Sequence, residues 1–337
     1  MDSLTQIFLG AAVTAAIVPP QHRRAALLAG AALGTVPDLD ALPIALLTDD
    51  PVHRMIWHRG ASHSLLVLPL LAWAIWAWLR TRGGRVAAAP QRWFWAIQLA
   101  LLTHPLLDAF TVYGTQLLWP LPPRPVMWSS MFIIDPLYTI WLLVACVFAW
   151  FARDRRSGSH ALVAGLALSS LYLAGSLLAK GAVEREAGRA LAQLGLQDAP
   201  RFSVPMPFNI LLWRVVAMTP EGFVEGERSL VADRGPMRFT EHASDVSSLM
   251  QVSGYPSVRQ LSWFSRGFMK AEQRDGQLVL SDLRMGSEPD YTFRLAVAQR
   301  TQGGWRPIEP QRVEWPWDAR RRLAWMWQRI WIQPEAL

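Results

Sequence analysis

The sequence predicts a mainly α polytopic membrane bundle followed by a small β-rich extracytoplasmic domain. Three observations predict it. The chain of 337 residues is 52% apolar and 18% charged, with mean hydropathy +0.16, whereas soluble domains are roughly 45–50% apolar and about 25% charged. The apolar excess sits in about the first 180 residues, in blocks long enough to be membrane spans. From about Pro200 onward the pattern changes to short strand-like runs separated by turn residues. The expected divisions are 1–180 for the membrane bundle, 181–199 for a helical linker, and 200–337 for the β-rich domain with a C-terminal Trp/Arg-rich helix.

Leu4–Val18 and Ala25–Val36 come first. Both fall below the ~20 residues of a full span. They are rich in Ala and Gly, and Gly10, Gly30 and Gly34 suit close helix packing. They read as a tight helical hairpin, either two short spans or a re-entrant pair. Four stronger apolar blocks follow, Ser64–Leu79, Trp93–Ala109, Phe132–Ala152 and His160–Ala179, which makes about six segments in all. Trp73, Trp76, Trp78, Trp93, Trp95, Trp119, Trp128 and Trp150 lie near the ends of these blocks, as an aromatic belt requires.

Gly181–Leu196 continues from the last block as an Ala-rich helix. Ile210–Met218 and Phe223–Val231, split by Thr219-Pro220-Glu221-Gly222, predict a β-hairpin. Leu278–Leu283 and Tyr291–Ala298 are further strands, with turns at Asp275-Gly276 and Gly303-Gly304. The tail Asp318–Ile332 carries Arg320, Arg321, Arg322, Trp325, Trp327, Arg329 and Trp331. Such a helix lies on lipid headgroups or packs on the β domain. Packing is favoured, because the tryptophans form no single clean stripe.

The formal charge of +7 raises nucleic acid as a partner, but the placement of the arginines explains it better. Arg23 and Arg24 follow the first block; Arg80, Arg82, Arg85 and Arg92 occupy one loop; Arg153, Arg155 and Arg156 occupy another. The intervening short loops hold only Arg54, Arg59 and Arg124. The positive-inside rule puts the first set in the cytoplasm and everything after Ala179 outside. No nucleic-acid partner is expected. No Lys or Arg precedes Arg23, so the basic start of a secretory signal peptide is missing. The single cysteine, Cys146, excludes an intramolecular disulfide framework and a cysteine-based zinc site.

Ionisable groups in or beside spans are costly, and are functional candidates. Asp38 and Asp40 end the second block, His58 and His63 open the third, His104 and Asp108 end the fourth, and Asp135 opens the fifth. On the arginine topology every one lies at the outer end of its segment, with Asp2 on the same face. His104 and Asp108 are i and i+4, which shares a helix face, although Pro105 between them favours a start or kink there. Asp38 and Asp40 read as a turn after Pro37. His58 and His63 need a turn at Gly60 to converge. Imidazole with carboxylate suits zinc, iron or manganese. The number of ligands allows a two-metal site that activates water. Each element also has a plainer reading: interfacial hydrogen bonding for the histidines, helix capping for Asp38, Asp40 and Asp135.

Met1-Asp2-Ser3-Leu4-Thr5, Pro37-Asp38-Leu39-Asp40, His58-Arg59-Gly60-Ala61-Ser62-His63-Ser64 and His104-Pro105-Leu106-Leu107-Asp108 resemble the YdjM-like, LexA-regulated membrane-bound metal-dependent hydrolases. Thr111–Pro120 fits the same pattern, and the resemblance covers residues 1 to about 145. It implies phosphoester hydrolysis at a multi-metal site, since wider relatives include zinc-dependent phospholipase C and P1-type nucleases. The ligands it implies are Asp38, Asp40, His58, His63, His104 and Asp108. One departure stands out: many members carry histidine where this chain has Gln6. Glutamine is a poor zinc ligand, so that metal position is altered, or Asp2 or Asp135 takes it.

The expected protein is therefore an inner-membrane hydrolase with one or two divalent ions, zinc first and manganese second. Its expected substrate is a lipid or lipid-linked phosphoester at the outer face. Asp40 or Asp135 is the expected proton acceptor, and Arg59 a phosphate clamp; Arg59 reads equally as an interfacial anchor. The alternative is a non-enzymatic metal-binding transporter or envelope scaffold. Clustering of the polar groups at one face favours a site over a conduit. No Walker motif, dinucleotide fingerprint, G-x-S-x-G or H-E-x-x-H occurs, which speaks against a metallopeptidase.

Overall fold

The computed structural model describes residues 1–314 and 319–334. Two compact units emerge. The first comprises 1–47, 57–128 and 133–176; the second comprises 48–56, 129–132 and 177–337.

The first unit is helical: α1 (Ser3–Ile17), α2 (Arg23–Thr35), α3 (Ala41–Leu47), α4 (Pro51–Trp57, shared with the second unit), α5 (Leu68–Thr81), α6 (Gly84–Ala88), α7 (Pro90–Asp108), α8 (Pro136–Ala152) and the first half of α9 (Arg156–Gln193). Asp2 caps α1 by accepting from Thr5 N at 3.1 Å. The expected glycine packing is present. A Cβ on Gly10 would sit 2.3 Å from Gly30 O, and one on Gly34 would sit 2.3 Å from Gln6 O. Only hydrogens at these positions let the α1 and α2 backbones approach so closely.

Three arginine-bearing turns meet at one end of this unit. Arg23 Nη1 donates to the carbonyls of Arg153 and Arg155, Arg24 Nε to Trp150 O at 2.9 Å, and Arg92 Nη1 to Ile17 O at 3.0 Å. Along α7, Asp108 lies about 24 Å from Arg92 at 1.5 Å per residue. The arginines and the His/Asp groups therefore occupy opposite ends of the bundle.

The expectation of about six spans is corrected. Among the described residues one helix, α9, is long and apolar enough to cross a membrane by itself. Up to two more spans arise if bent pairs count as one: Pro20–Thr35 with Pro37–Leu47, and Pro51–His63 with Leu68–Thr81. The reason is local. Pro37, Pro51 and Gly60 break the chain into short helices. In α7, Arg92, Gln98, His104 and Asp108 interrupt the apolar run. The sixth block and the Ala-rich stretch after it form one continuous helix of 38 residues, Arg156–Gln193.

Among the described residues the second unit holds two four-stranded antiparallel sheets and one two-stranded ladder. One is a meander of β1 (Arg201–Pro205), β2 (Leu212–Thr219), β3 (Gly222–Ser229) and β4 (Phe239–Ala243). The hairpin expected around Thr219–Gly222 is β2–β3, with Thr219 opposite Gly222. The helices α10 (Val246–Val252) and α11 (Pro256–Phe264) follow. Next come β5 (Met269–Arg274), β6 (Gln277–Asp282), a two-residue ladder of β7 (Gly286–Ser287) and β8 (Asp290–Tyr291), β9 (Arg294–Thr301) and β10 (Gly304–Arg312). The second sheet runs β10-β9-β6-β5. Both of its expected turns are present: Asp275 and Gly276 adopt φ of 50° and 74°, and Gly304 adopts 115°. The C-terminal half of α9 covers the meander, with Val183, Ala187 and Ala190 against Trp213, Val215 and Met237.

The tail forms α12 (Ala319–Trp331); Asp318 lies outside the described residues. α12 packs on the β domain. Met326 and Ile330 join Met206 and Leu212, and Arg329 forks onto Asp233 at 2.7 and 2.6 Å. Trp325, Trp327 and Trp331 remain exposed.

Glu227 on β3 sits beneath this helix, 3.6 Å from Arg329. Burial, reinforced by nearby Glu225, outweighs Arg329 and pushes its carboxyl up to about 7 from the ordinary 4.5. The folded state thus holds a proton that the unfolded chain releases earlier. Its contribution to stability is complete below about pH 4.5 and is lost as pH rises to about 7. Thermal melts from pH 5 to pH 7 should show the β domain losing stability, and Glu227→Gln should flatten that slope. An unchanged slope would remove Glu227 from the explanation.

Candidate metal centre

Three local structures build the site. After α2, Pro37–Asp40 forms a 3₁₀ turn that carries Asp38. After α4 the chain reverses at Arg59, whose φ is 62°, and Gly60, where a Cβ would lie 2.9 Å from Trp57 O. The Ala61–His63 turn then carries His63 inward, where it is fully buried. Third, α7 runs unbroken through Pro105 to Asp108, so His104 and Asp108 share a face, both buried. The loop after α7 braces the reversal: Gln116 N donates to Arg59 O at 3.0 Å and Leu65 N to Leu117 O at 2.8 Å.

Hydrogen bonds fix both imidazoles. Ser62 Oγ donates its one proton to Asp40 Oδ2 at 2.5 Å. At 2.9 Å from His63 Nδ1 it can then only accept. His63 is therefore protonated on Nδ1. His104 Nδ1 lies 2.7 Å from Gly34 O, a pure acceptor, so it too carries its proton there. In the neutral rings both Nε2 atoms present bare lone pairs, and they face each other at 3.2 Å. Such an approach needs either a shared proton or a metal ion between them.

The surrounding oxygens complete a cage. Asp38 Oδ1 is 3.4 Å from His63 Nε2 and 3.3 Å from His104 Nε2. Asp108 Oδ2 is 3.3 and 3.6 Å from the same atoms. All four donors lie within 4.8 Å of one another. Asp108 Oδ2 is buried without a hydrogen-bond partner. Two carboxylates and two neutral imidazoles turned onto one point are the donor chemistry of a divalent cation. The residues present fit a metal ion.

The remaining candidates lie around this cage. Asp40 is behind His63, on the Nδ1 side, with Oδ1 2.8 Å from His58 Nδ1 and Oδ2 accepting also from Arg59 N at 3.2 Å. Asp40 and His58 are outside the group of four. Arg59 is buried, with Nε 3.1 Å from Asp108 Oδ2, Nη1 3.0 Å from Thr111 Oγ1, and its guanidinium over the Tyr113 ring. Asp135 caps α8, accepting from Leu137 N, Tyr138 N and Tyr172 OH. Asp2 is occupied by Thr5. Residues the sequence reading did not single out are Ser62, Thr111 and the carbonyl of Gly34. Ser62 was findable, because a hydroxyl next to a ligand histidine is an obvious partner for its second nitrogen. The Gly34 carbonyl carries no signal in the side chains.

Comparison with known proteins adds one decisive observation: the family model described as YdjM inner membrane protein matches residues 1–183. The chain belongs to the YdjM family. That match contains all four cage residues and stops within α9, before the β-rich domain. Family membership and the apolar α9 make this a membrane protein. The YdjM-family chain is also similar to the uncharacterized protein YfhP of Bacillus subtilis (strain 168), 24% identical over 242 residues, covering 67% of this chain and 68% of that protein. No solved structure matches.

Proposed function

We propose that this YdjM-family protein is a metal-dependent hydrolase of the membrane, acting on a phosphoester of a lipid or lipid-linked substrate. One observation carries the reading. Five of the six donor separations around His63, His104, Asp38 and Asp108 are 3.2–3.6 Å, and all six are within 4.8 Å; the five lie close to the edges of a tetrahedron, about 3.3–3.4 Å for bonds of about 2.0–2.1 Å. That favours a single zinc ion over the longer, oxygen-rich shell of calcium.

A divalent ion held by Asp38, His63, His104 and Asp108 would supply Lewis acidity and, with a water added beside these four donors, would bring the pKa of that water towards neutrality. Asp38 has the most exposed side chain of the four, so solvent and substrate approach from its side. Its second oxygen takes the proton of the attacking water. Asp40, from behind the His63 ring, holds that imidazole rather than receiving the proton. Asp135, with both oxygens engaged at the start of α8, is a cap. Arg59 supplies a buried positive charge beside the centre for a phosphoryl group. The arginine-rich turns at the opposite end support a site on the extracytoplasmic face, with the β-rich domain on that side.

A second reading has its own support: four protein donors also describe a closed structural ion, as a scaffold or metal-binding transporter would hold. Hydrolysis separates the two. The full chain in nanodiscs is assayed for bound metal and for phosphate release from phosphatidic acid and polyprenyl phosphate. Metal with turnover supports the hydrolase; metal without turnover on any phosphoester leaves the structural ion; no metal overturns both.

A further inference from the structure

Gln6 sits on α1 against the metal centre and is 1% exposed. Its Nε2 donates to Asp108 Oδ1 at 3.0 Å and to His104 O at 3.2 Å. The amide orientation follows from its partners: reversed, its oxygen would face a carboxylate and a carbonyl. Its Oε1 is buried without a hydrogen-bond partner. A buried amide left half-satisfied is costly, and methionine would fill similar space without that cost. The compensation has to lie in the Nε2 contact.

That contact divides the labour of the Asp108 carboxylate. Oδ1 is engaged by Gln6 and by the Met1 amino group. Oδ2 faces His63 Nε2, His104 Nε2 and Arg59 Nε. We propose that Gln6 is a positioning residue that holds Asp108 to ligation through Oδ2 alone, and so keeps the centre at one ion with four single-atom donors. The inference rests on the metal-centre reading. It extends that reading because Gln6 touches neither the ion nor a substrate, yet sets the coordination number.

The consequence is specific. Without the amide, Oδ1 keeps only the Met1 amino group, and the carboxylate rotates more readily to offer both oxygens. Gln6→Met keeps length and apolar bulk and removes the donor. The full chain in nanodiscs is stripped of metal, then titrated with zinc against a chelating dye, and separately loaded with cobalt(II). Wild type should bind one equivalent and give the intense visible absorption of four-coordinate cobalt. Gln6→Met should bind zinc about 10–100-fold more weakly, and its cobalt spectrum should weaken towards higher coordination. Gln6→Asn, whose amide is one carbon short, should not rescue. A thermal melt of each metal-free variant checks folding independently, and the cobalt spectrum reports the bound population only. If wild type binds metal and Gln6→Met binds it equally with the same spectrum, the role of Gln6 is overturned while the centre stands. If wild type binds no metal, both fall.

Discussion

Alanine at His63 or Asp108 is expected to take bound zinc from one equivalent to none. Each substitution does more than remove one donor. Without His63, the bare Nε2 of His104 loses its counterpart at 3.2 Å, and Ser62 loses the proton it accepts. Without Asp108, Arg59 is left buried beside the cage with its carboxylate gone, and unpaired buried charge costs several kcal/mol. Asp108→Ala should therefore lower the melting temperature as well as abolish metal binding, whereas His63→Ala should chiefly abolish binding. Asp108→Asn separates lost charge from lost volume: an amide fills the space but is a poor ligand and cannot neutralise Arg59, so metal binding and melting temperature should both still fall. Elemental analysis after gel filtration measures the first effect and a thermal scan in detergent the second. Retention of a full equivalent of metal in both alanine variants would refute the four-donor centre, and phosphate release should fall to background in step with metal loss.

Gly34→Ala should be the most damaging change that touches no ionisable group. Its new Cβ would lie 2.3 Å from Gln6 O and 3.1 Å from Gln6 C, both backbone atoms that cannot swing aside. The α1 and α2 helices must separate, at about 1–3 kcal/mol or more for overpacking. The same shift carries the Gly34 carbonyl away from His104 Nδ1, which it holds at 2.7 Å. Loss of helix packing and loss of metal affinity should therefore appear together. Gly175→Ala on α9 is the control, because nothing lies within 4 Å of its added Cβ; it should leave both unchanged. Melting temperature and zinc affinity measured on the two variants decide the matter, and a Gly34→Ala protein with ordinary zinc affinity would detach the helix crossing from the site.

Much of this was legible in the sequence because the relevant physics is local. Apolar blocks and arginine-bearing turns report membrane helices and their ends. Gly10, Gly30 and Gly34 report a close crossing, and the i,i+4 spacing of His104 and Asp108 reports a shared face. The β2–β3 hairpin followed from one turn between two apolar runs. The short helices α10 and α11 were not legible, since Val246–Val252 and Pro256–Phe264 are too brief for a periodic signal. Nor was the number of helices able to cross a membrane, because an apolar block does not reveal that a proline or glycine inside it will break the helix.

The sequence by itself determined the residue types of the centre, their family and the end of the bundle they occupy. Only the tertiary structure decided which of each pair faces inward. In a 3₁₀ turn successive side chains rotate by about 120°, so Asp38 and Asp40, two apart, point in different directions. One joins the cage and the other holds His63 from behind through Ser62. His58 and His63 lie on either side of a left-handed reversal, and only His63 turns in. Asp135 was indistinguishable from a ligand in sequence, and the start of α8 claimed it because free backbone N–H groups of a helix need an acceptor. Ligand chemistry is written in side-chain identity. Ligand geometry is set by which backbone donors, carbonyls and amides occupy the other side of each group, and those come from segments distant in the chain.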